Sequence, residues 1–123
     1  MIKVTKSELE ILPILWQLES GTVREVHDII VNKKKVGYTT TLKIMQLMVE
    51  KELLVRDTST NSHIYKSLVK EENVQTSMLN DFIQGAFRGN TKNMVLQALG
   101  NHKLSDAEIK EIRKFISQMN KKK

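Results

Sequence analysis

Between Tyr38 and Glu52 the apolar and polar positions follow the period of a helix with two unlike faces. At ~100° per residue, Thr41, Leu42, Ile44, Met45, Met48 and Val49 fall on one side. Thr39, Thr40, Lys43, Gln46 and Glu50 fall on the other, with Leu47 at its margin. The first side is core material. The second carries short hydroxyls, one ammonium and one amide near the helix start, groups that donate and accept at base edges. The free amides of a helix N-terminus also suit phosphate oxygens. A plain solvated face has the same pattern when taken alone, so the neighbouring segments decide.

Upstream, Thr5-Lys6-Ser7-Glu8 is a capping box that opens a first helix, with Val4 and Leu9 at the staple positions. Leu9, Ile11, Leu12, Leu15 and Trp16 form its apolar side, and Trp16 reads as core. Pro13 removes one backbone bond, so the spacing predicts either a kink or a late helix start. Ser20-Gly21 closes this helix. Thr22-Val23-Arg24-Glu25 repeats the capping signature and starts a second helix to about Asn32, with Val23, Val26, Ile29 and Ile30 as its stripe. Lys33, Lys34 and Lys35 form a basic connector into the third helix, beside a DNA backbone if that helix enters a groove; a solvated turn is the alternative.

Downstream, Leu53–Asp57 and His63–Val69 are two β-type runs around the polar loop 58–62, which reads as a hairpin. Three helices and a hairpin make the winged variant of the helix-turn-helix. There the third helix enters the major groove, and the hairpin, or wing, lies along the backbone. From Lys70 only helices follow. Val74, Met78, Leu79, Phe82, Ile83 and Ala86 mark one that ends near 85–89. Met94, Val95, Leu96, Ala98 and Leu99 mark a short one closed by Gly100. The last opens with the capping box Ser105-Asp106-Ala107-Glu108, stapled by Leu104 and Ile109. Ile109, Ile112, Ile116 and Met119 then run at 3-4-3 spacing beside Phe115. So short a set of amphipathic helices leaves apolar surface uncovered in a monomer. The expectation is a homodimer formed through Val74, Met78, Phe82, Ile109, Ile112, Phe115, Ile116 and Met119. Lys121-Lys122-Lys123 reads as a solvated tail. The fold class is mainly α with a small β-hairpin: an N-terminal winged helix-turn-helix domain, 1–69, and a C-terminal helical dimerisation domain, 70–123.

Composition narrows the chemistry. Lys and Arg number 20 against 14 Asp and Glu, a net charge of +6 that suits an anionic partner, nucleic acid before membrane surface. The absence of cysteine removes disulfides, thiolate metal sites and thiol nucleophiles. No run is long enough to span a bilayer, and MIKVTKSELE has no apolar signal core, so membrane insertion is not expected and a cytoplasmic location is. His27, His63 and His102 stand far apart on different elements, without zinc-type spacing, and read as structural. No catalytic constellation emerges, and no enzyme activity, metal or cofactor is expected.

The candidate DNA contacts are therefore Thr39, Thr40 and Lys43, then Gln46, a side chain suited to adenine. Tyr38 at the helix start, Arg56, Ser62 and His63 on the wing, and Lys33, Lys34 and Lys35 are candidates for the backbone. Tyr65 either touches that backbone or closes the wing onto the core. A winged-helix module that contacts protein instead of DNA is the competing reading, but such a face favours exposed aromatics over a Thr/Lys surface.

An ordered set of residues resembles the penicillinase and methicillin-resistance repressors of the BlaI/MecI type over essentially the whole chain. The set comprises Thr5, Glu8 and Leu15-Trp16, then Thr39-Thr40 with Lys43, and Lys51. It continues with Tyr65, Leu68-Val69, Leu104-Ser105, Glu108-Ile109 and Glu111-Ile112-Arg113. The resemblance implies a dimeric winged-helix repressor of palindromic double-stranded DNA operators, paired with a membrane sensor metalloprotease and induced by cleavage in its C-terminal half. Glu52 stands where that family has glycine, and Leu47 where it commonly has arginine. Gln97-Ala98 aligns with the family's Asn-Phe scissile bond, so it is the expected position for regulatory cleavage. The cysteine-rich tail of the copper-responsive relatives is absent.

Overall fold

The computed structural model describes residues 2–121. Of the lysine tail, Lys121 ends the last helix, while Lys122 and Lys123 lie outside the described residues. Six helices and one antiparallel hairpin follow in order among the described residues. They are α1 (Lys6–Leu18), α2 (Val23–Ile30), α3 (Tyr38–Glu50), β1 (Leu54–Asp57), β2 (Ile64–Ser67), α4 (Glu71–Ala86), α5 (Thr91–Asn101) and α6 (Asp106–Lys121). This is the mainly α, winged-helix architecture with following helices that the pattern predicts.

Each capping box forms and fixes a helix start. Glu8 N donates to Thr5 Oγ1 at 3.2 Å while Thr5 N donates to Glu8 Oε1 at 2.9 Å. Thr22 with Glu25 and Ser105 with Glu108 repeat the exchange at 2.9 to 3.1 Å. Pro13 lies inside α1 on its exposed side, and the helix begins at Lys6, so the proline does not delay the start. Pro13 has no N–H to give the Leu9 carbonyl four residues earlier. The second helix stops at Ile30, two residues before the expected Asn32. Lys33 and Lys34 amides fold back on the Ile30 carbonyl instead.

The chain forms two compact units, one ending at Asn80 and the other starting at Asp81, so the division falls within α4. In the first, Leu12 and Leu15 of α1, Val26 of α2 and Met45 and Met48 of α3 meet in one core that Leu54, Tyr65 and Val74 complete. Ile14, unassigned by the pattern, is buried there too. Val74, expected on a dimer face, is 1% exposed within this core, and Met78 packs against it. The second unit holds the end of α4 with α5 and α6. Phe82 and Phe87 pack edge to face at 5.5 Å, and Asn90 caps α5 through the Asn93 amide.

Three long-range ties hold the hairpin and helices in register. The strands pair Leu54 with Ser67 and Arg56 with Tyr65. Gly21 then bridges Tyr65 on its other side, with N–H to O distances of 3.0 and 2.8 Å in the two directions. A Cβ at Gly21 would lie 3.3 Å from Leu18 Cδ1, so a larger residue would have to displace that side chain. Trp16 Nε1 donates to Ser67 Oγ and Val69 O at 3.1 and 3.0 Å, which ties α1 to the exit of the wing. Lys51 Nζ reaches both oxygens of buried Glu8, at 2.7 and 3.0 Å, joining the start of α1 to the end of α3.

The turn after α3 is a Schellman ending. Leu53 N donates to Met48 O at 2.9 Å and Glu52 N to Val49 O at 3.0 Å. Glu52 holds the left-handed position at φ 63°, the place where glycine is sterically free.

Burial pushes the Glu8 carboxyl up. The hydrogen bond from Lys51, those from Thr5 and the Lys51 charge together outweigh it and hold the carboxyl below its ordinary 4.5. A group whose pKa is lowered by folding contributes stability above its unfolded value and loses it as pH falls through the folded one. Glu8→Gln should cost about 1–3 kcal/mol at neutral pH, because Lys51 loses its charged acceptor. The gap to wild type should then narrow on acidification below 4.5. Urea unfolding across pH checks both, and equal midpoints at neutral pH would contradict the assignment. Glu52→Gly should instead stabilise by ~0.5–1 kcal/mol. Relief of left-handed strain, about 1–2 kcal/mol, exceeds glycine's added unfolded-chain entropy. The same urea titration reads it as a higher midpoint.

Candidate nucleic-acid interface

All six residues assigned to the inner side of α3 are buried or half-buried, with Thr41, Met45 and Met48 fully enclosed. That burial sets the helix rotation, and the rotation turns Thr39, Thr40, Lys43, Gln46 and Glu50 to solvent. Leu47 joins them with 45% of its surface exposed. Gly37 is the N-cap and offers no side chain, so no side-chain cap occupies the first amides of α3. Hydroxyls, an ammonium, an amide and helix-start N–H groups thus share one open surface.

What orients this surface is a buried polar contact. His27 Nδ1 on α2 lies 2.9 Å from Thr41 Oγ1 on α3, and both side chains are buried. Tyr38, the first residue of α3, meets the His27 ring edge-on at 5.5 Å. The Arg24 guanidinium lies over the other ring, 4.2 Å from the Tyr38 centroid. Sequence reasoning treated His27 only as structural and Arg24 only as part of a capping box. The available signal for Arg24 was a cation in the first turn of a helix, where the dipole disfavours it.

The remaining expected contacts scatter over the same unit. Lys33, Lys34 and Lys35 are exposed, but Lys34 turns back to Glu10 on α1 at 3.0 Å. Arg56 projects from β1, and Ser62 and His63 stand exposed at the entry to β2. Tyr65 is 2% exposed, so it closes the wing onto the core. Asp57 accepts the Ser59 amide at 2.9 Å, and this bond holds its carboxyl below the usual range and fixes the turn at the wing tip. A recess of 260 Å³ opens among Thr22, Arg24, Tyr38, Asn61, Ser62 and His63, joining the starts of α2 and α3 to the wing.

In the second unit the apolar residues of the last helix stand out. Phe115, Met119 and Ile116 are 65%, 56% and 48% exposed; Ile109 is exposed as well and Ile112 half-buried. Phe82 on α4 is 54% exposed. Gln97 and Ala98 lie inside α5, where the Gln97 carbonyl accepts a bond from Asn101 Nδ2 at 2.8 Å. Among the described residues no group of three metal-binding side chains occurs, and no helix is long and apolar enough to cross a membrane.

Comparison with known proteins agrees with this architecture. The family model described as penicillinase repressor matches residues 4–118. The penicillinase repressor of Staphylococcus aureus is 26% identical over 121 residues, covering 98% of this chain and 96% of the relative. The methicillin resistance regulatory protein MecI of Staphylococcus aureus strain N315 is 22% identical over 116 residues, 94% of each chain. MecI of Mammaliicoccus sciuri is 21% identical over the same length and coverage.

Thr41→Val keeps the shape at position 41 but leaves His27 Nδ1 without its partner. A loss of about 1–3 kcal/mol in urea unfolding is expected, the cost of an unpaired buried polar atom. An unchanged midpoint would show that the contact does not hold α2 to α3.

Proposed function

The chain belongs to the penicillinase repressor family, and from that premise we propose that it is a dimeric, sequence-specific transcriptional repressor. The observation that carries this reading is the rotation of α3. Its apolar side and Thr41 are enclosed, while Thr39, Thr40, Lys43 and Gln46 face outward beside an uncapped helix start. These side chains read base edges in the major groove. Tyr38, Arg56, Ser62, His63 and the lysines at 33 to 35 hold the sugar-phosphate backbone, contacts that position the protein without specifying sequence. The net charge of +6 supports an anionic partner.

Two copies assemble through Phe82, Ile109, Ile112, Phe115, Ile116 and Met119, whose exposure in one copy supports a second copy as the cover. We place the end of the DNA-binding unit inside α4, past residue 70, because Val74 lies in its core and Met78 packs against that core. Two-fold symmetry then requires a palindromic operator with half-sites ~34–36 Å apart or a multiple of that distance. Induction runs through a membrane sensor protease acting on the C-terminal half in the cytoplasm. Cleavage at Gln97-Ala98 requires α5 to open locally first, because that bond is helical.

Lys43→Ala should weaken operator binding by roughly 5–150-fold, the equivalent of ~1–3 kcal/mol for one base contact, and leave the dimer intact. Phe115→Glu should do the reverse, yielding monomers in sedimentation that bind single half-sites weakly. Operator affinity unchanged in Lys43→Ala removes that residue from the interface. A Phe115→Glu protein that still sediments as a dimer moves the assembly surface elsewhere.

A further inference from the structure

Arg24 occupies the second position of α2, where a cation opposes the helix dipole. Its ion pair with Asp28 does not explain the placement. That pair is stretched to 4.0 Å with the side chains 63% and 64% exposed, and such pairs contribute little. The Tyr38 ring, 4.2 Å away, is the better partner. Tyr38 in turn leans on His27, and His27 on Thr41, so the guanidinium is connected through two rings to the buried contact behind α3. This support sets Arg24 in the lining of the 260 Å³ recess, which it shares with Asn61, Ser62 and His63 of the wing.

We infer that Arg24, held over the Tyr38 ring, grips a DNA backbone phosphate at this recess. The inference rests on α3 being a DNA-reading helix and goes further by placing a contact on α2. The ring contact steadies the guanidinium, whose nearest carboxylate stays 4.0 Å away, and an arginine N–H fork matches phosphate oxygens. The Ser62 hydroxyl and the Asn61 amide in the same recess are further donors for the same group. Tyr38 is then a positioning residue: it presents the guanidinium and limits the freedom lost on binding.

The test is binding of the full-length protein to its preferred DNA and to a scrambled sequence across a salt series, with R24Q, Y38F and Y38L. R24Q is expected to weaken binding to both DNAs by a similar factor. It should also flatten the dependence of log affinity on log salt by ~0.9 for each protomer bound. Y38F keeps the ring, so whatever affinity it loses with the phenol should leave the salt slope at its wild-type value, whereas Y38L should flatten the slope toward that of R24Q. Wild-type affinity and slope in R24Q would overturn the assignment. So would a loss confined to the preferred DNA, which would make Arg24 a base reader. A wild-type protein that fails to distinguish the two DNAs overturns the α3 reading and this inference together. Clear wild-type discrimination with R24Q unaltered overturns the Arg24 contact alone.

Discussion

The contact between His27 and Thr41 is the constraint on which the outward face of α3 depends. A polar pair enclosed between two helices tolerates little rotation or slip, because losing it strands both groups without water. Hydrophobic packing around it is far less directional. Met45 and Met48 can fill space in several ways. The hydroxyl of Thr41 has to meet one ring nitrogen, and this fixes which residues of α3 look outward. Thr40, on the open face, and Thr41, on the enclosed one, are neighbours with opposite tasks for that reason.

The wing is placed by a second set of ties. Gly21 gives Tyr65 a strand partner on its free side, Trp16 holds Ser67 and Val69, and Lys51 anchors the end of α3 to Glu8. Each joins residues distant in sequence, and each uses a backbone group, an indole N–H or a charge instead of apolar area. An isolated two-stranded hairpin is marginal in water; here it is clamped at its exit strand and at its centre. Helix and wing consequently act as one surface, and a nucleic acid meeting α3 meets a wing already in position.

Much of this was legible in the sequence where local rules act. The capping boxes at Thr5, Thr22 and Ser105 placed helix starts, because the exchange of bonds is contained within four residues. The period of α3 separated its inner from its outer side residue by residue. Glu8 shows where such reading stops. Its role in the cap satisfied every local signal, and nothing nearby announced that Lys51, 43 positions on, would share it. His27 and Gly21 are alike in this respect, as the partners of both are set by tertiary approach. Val74 continued the amphipathic stripe of α4 and so looked like interface. Its burial in the first core follows from where α4 begins, immediately after the wing. Pro13 was tolerated because it lies on the solvent side of α1, a fact that hydrophobic spacing alone did not reveal.

The proposed dimer, which repeats the helix-and-wing surface by two-fold symmetry, has one direct consequence: it selects DNA of a definite form. Selection by the full-length protein from a random-sequence duplex library measures this with no operator supplied. The account predicts enrichment of an inverted repeat, its half-sites separated by about one helical turn, ~10–10.5 base pairs, or a multiple of it. A bound pool with no shared sequence after repeated rounds would contradict it, leaving a basic surface that holds DNA without reading it.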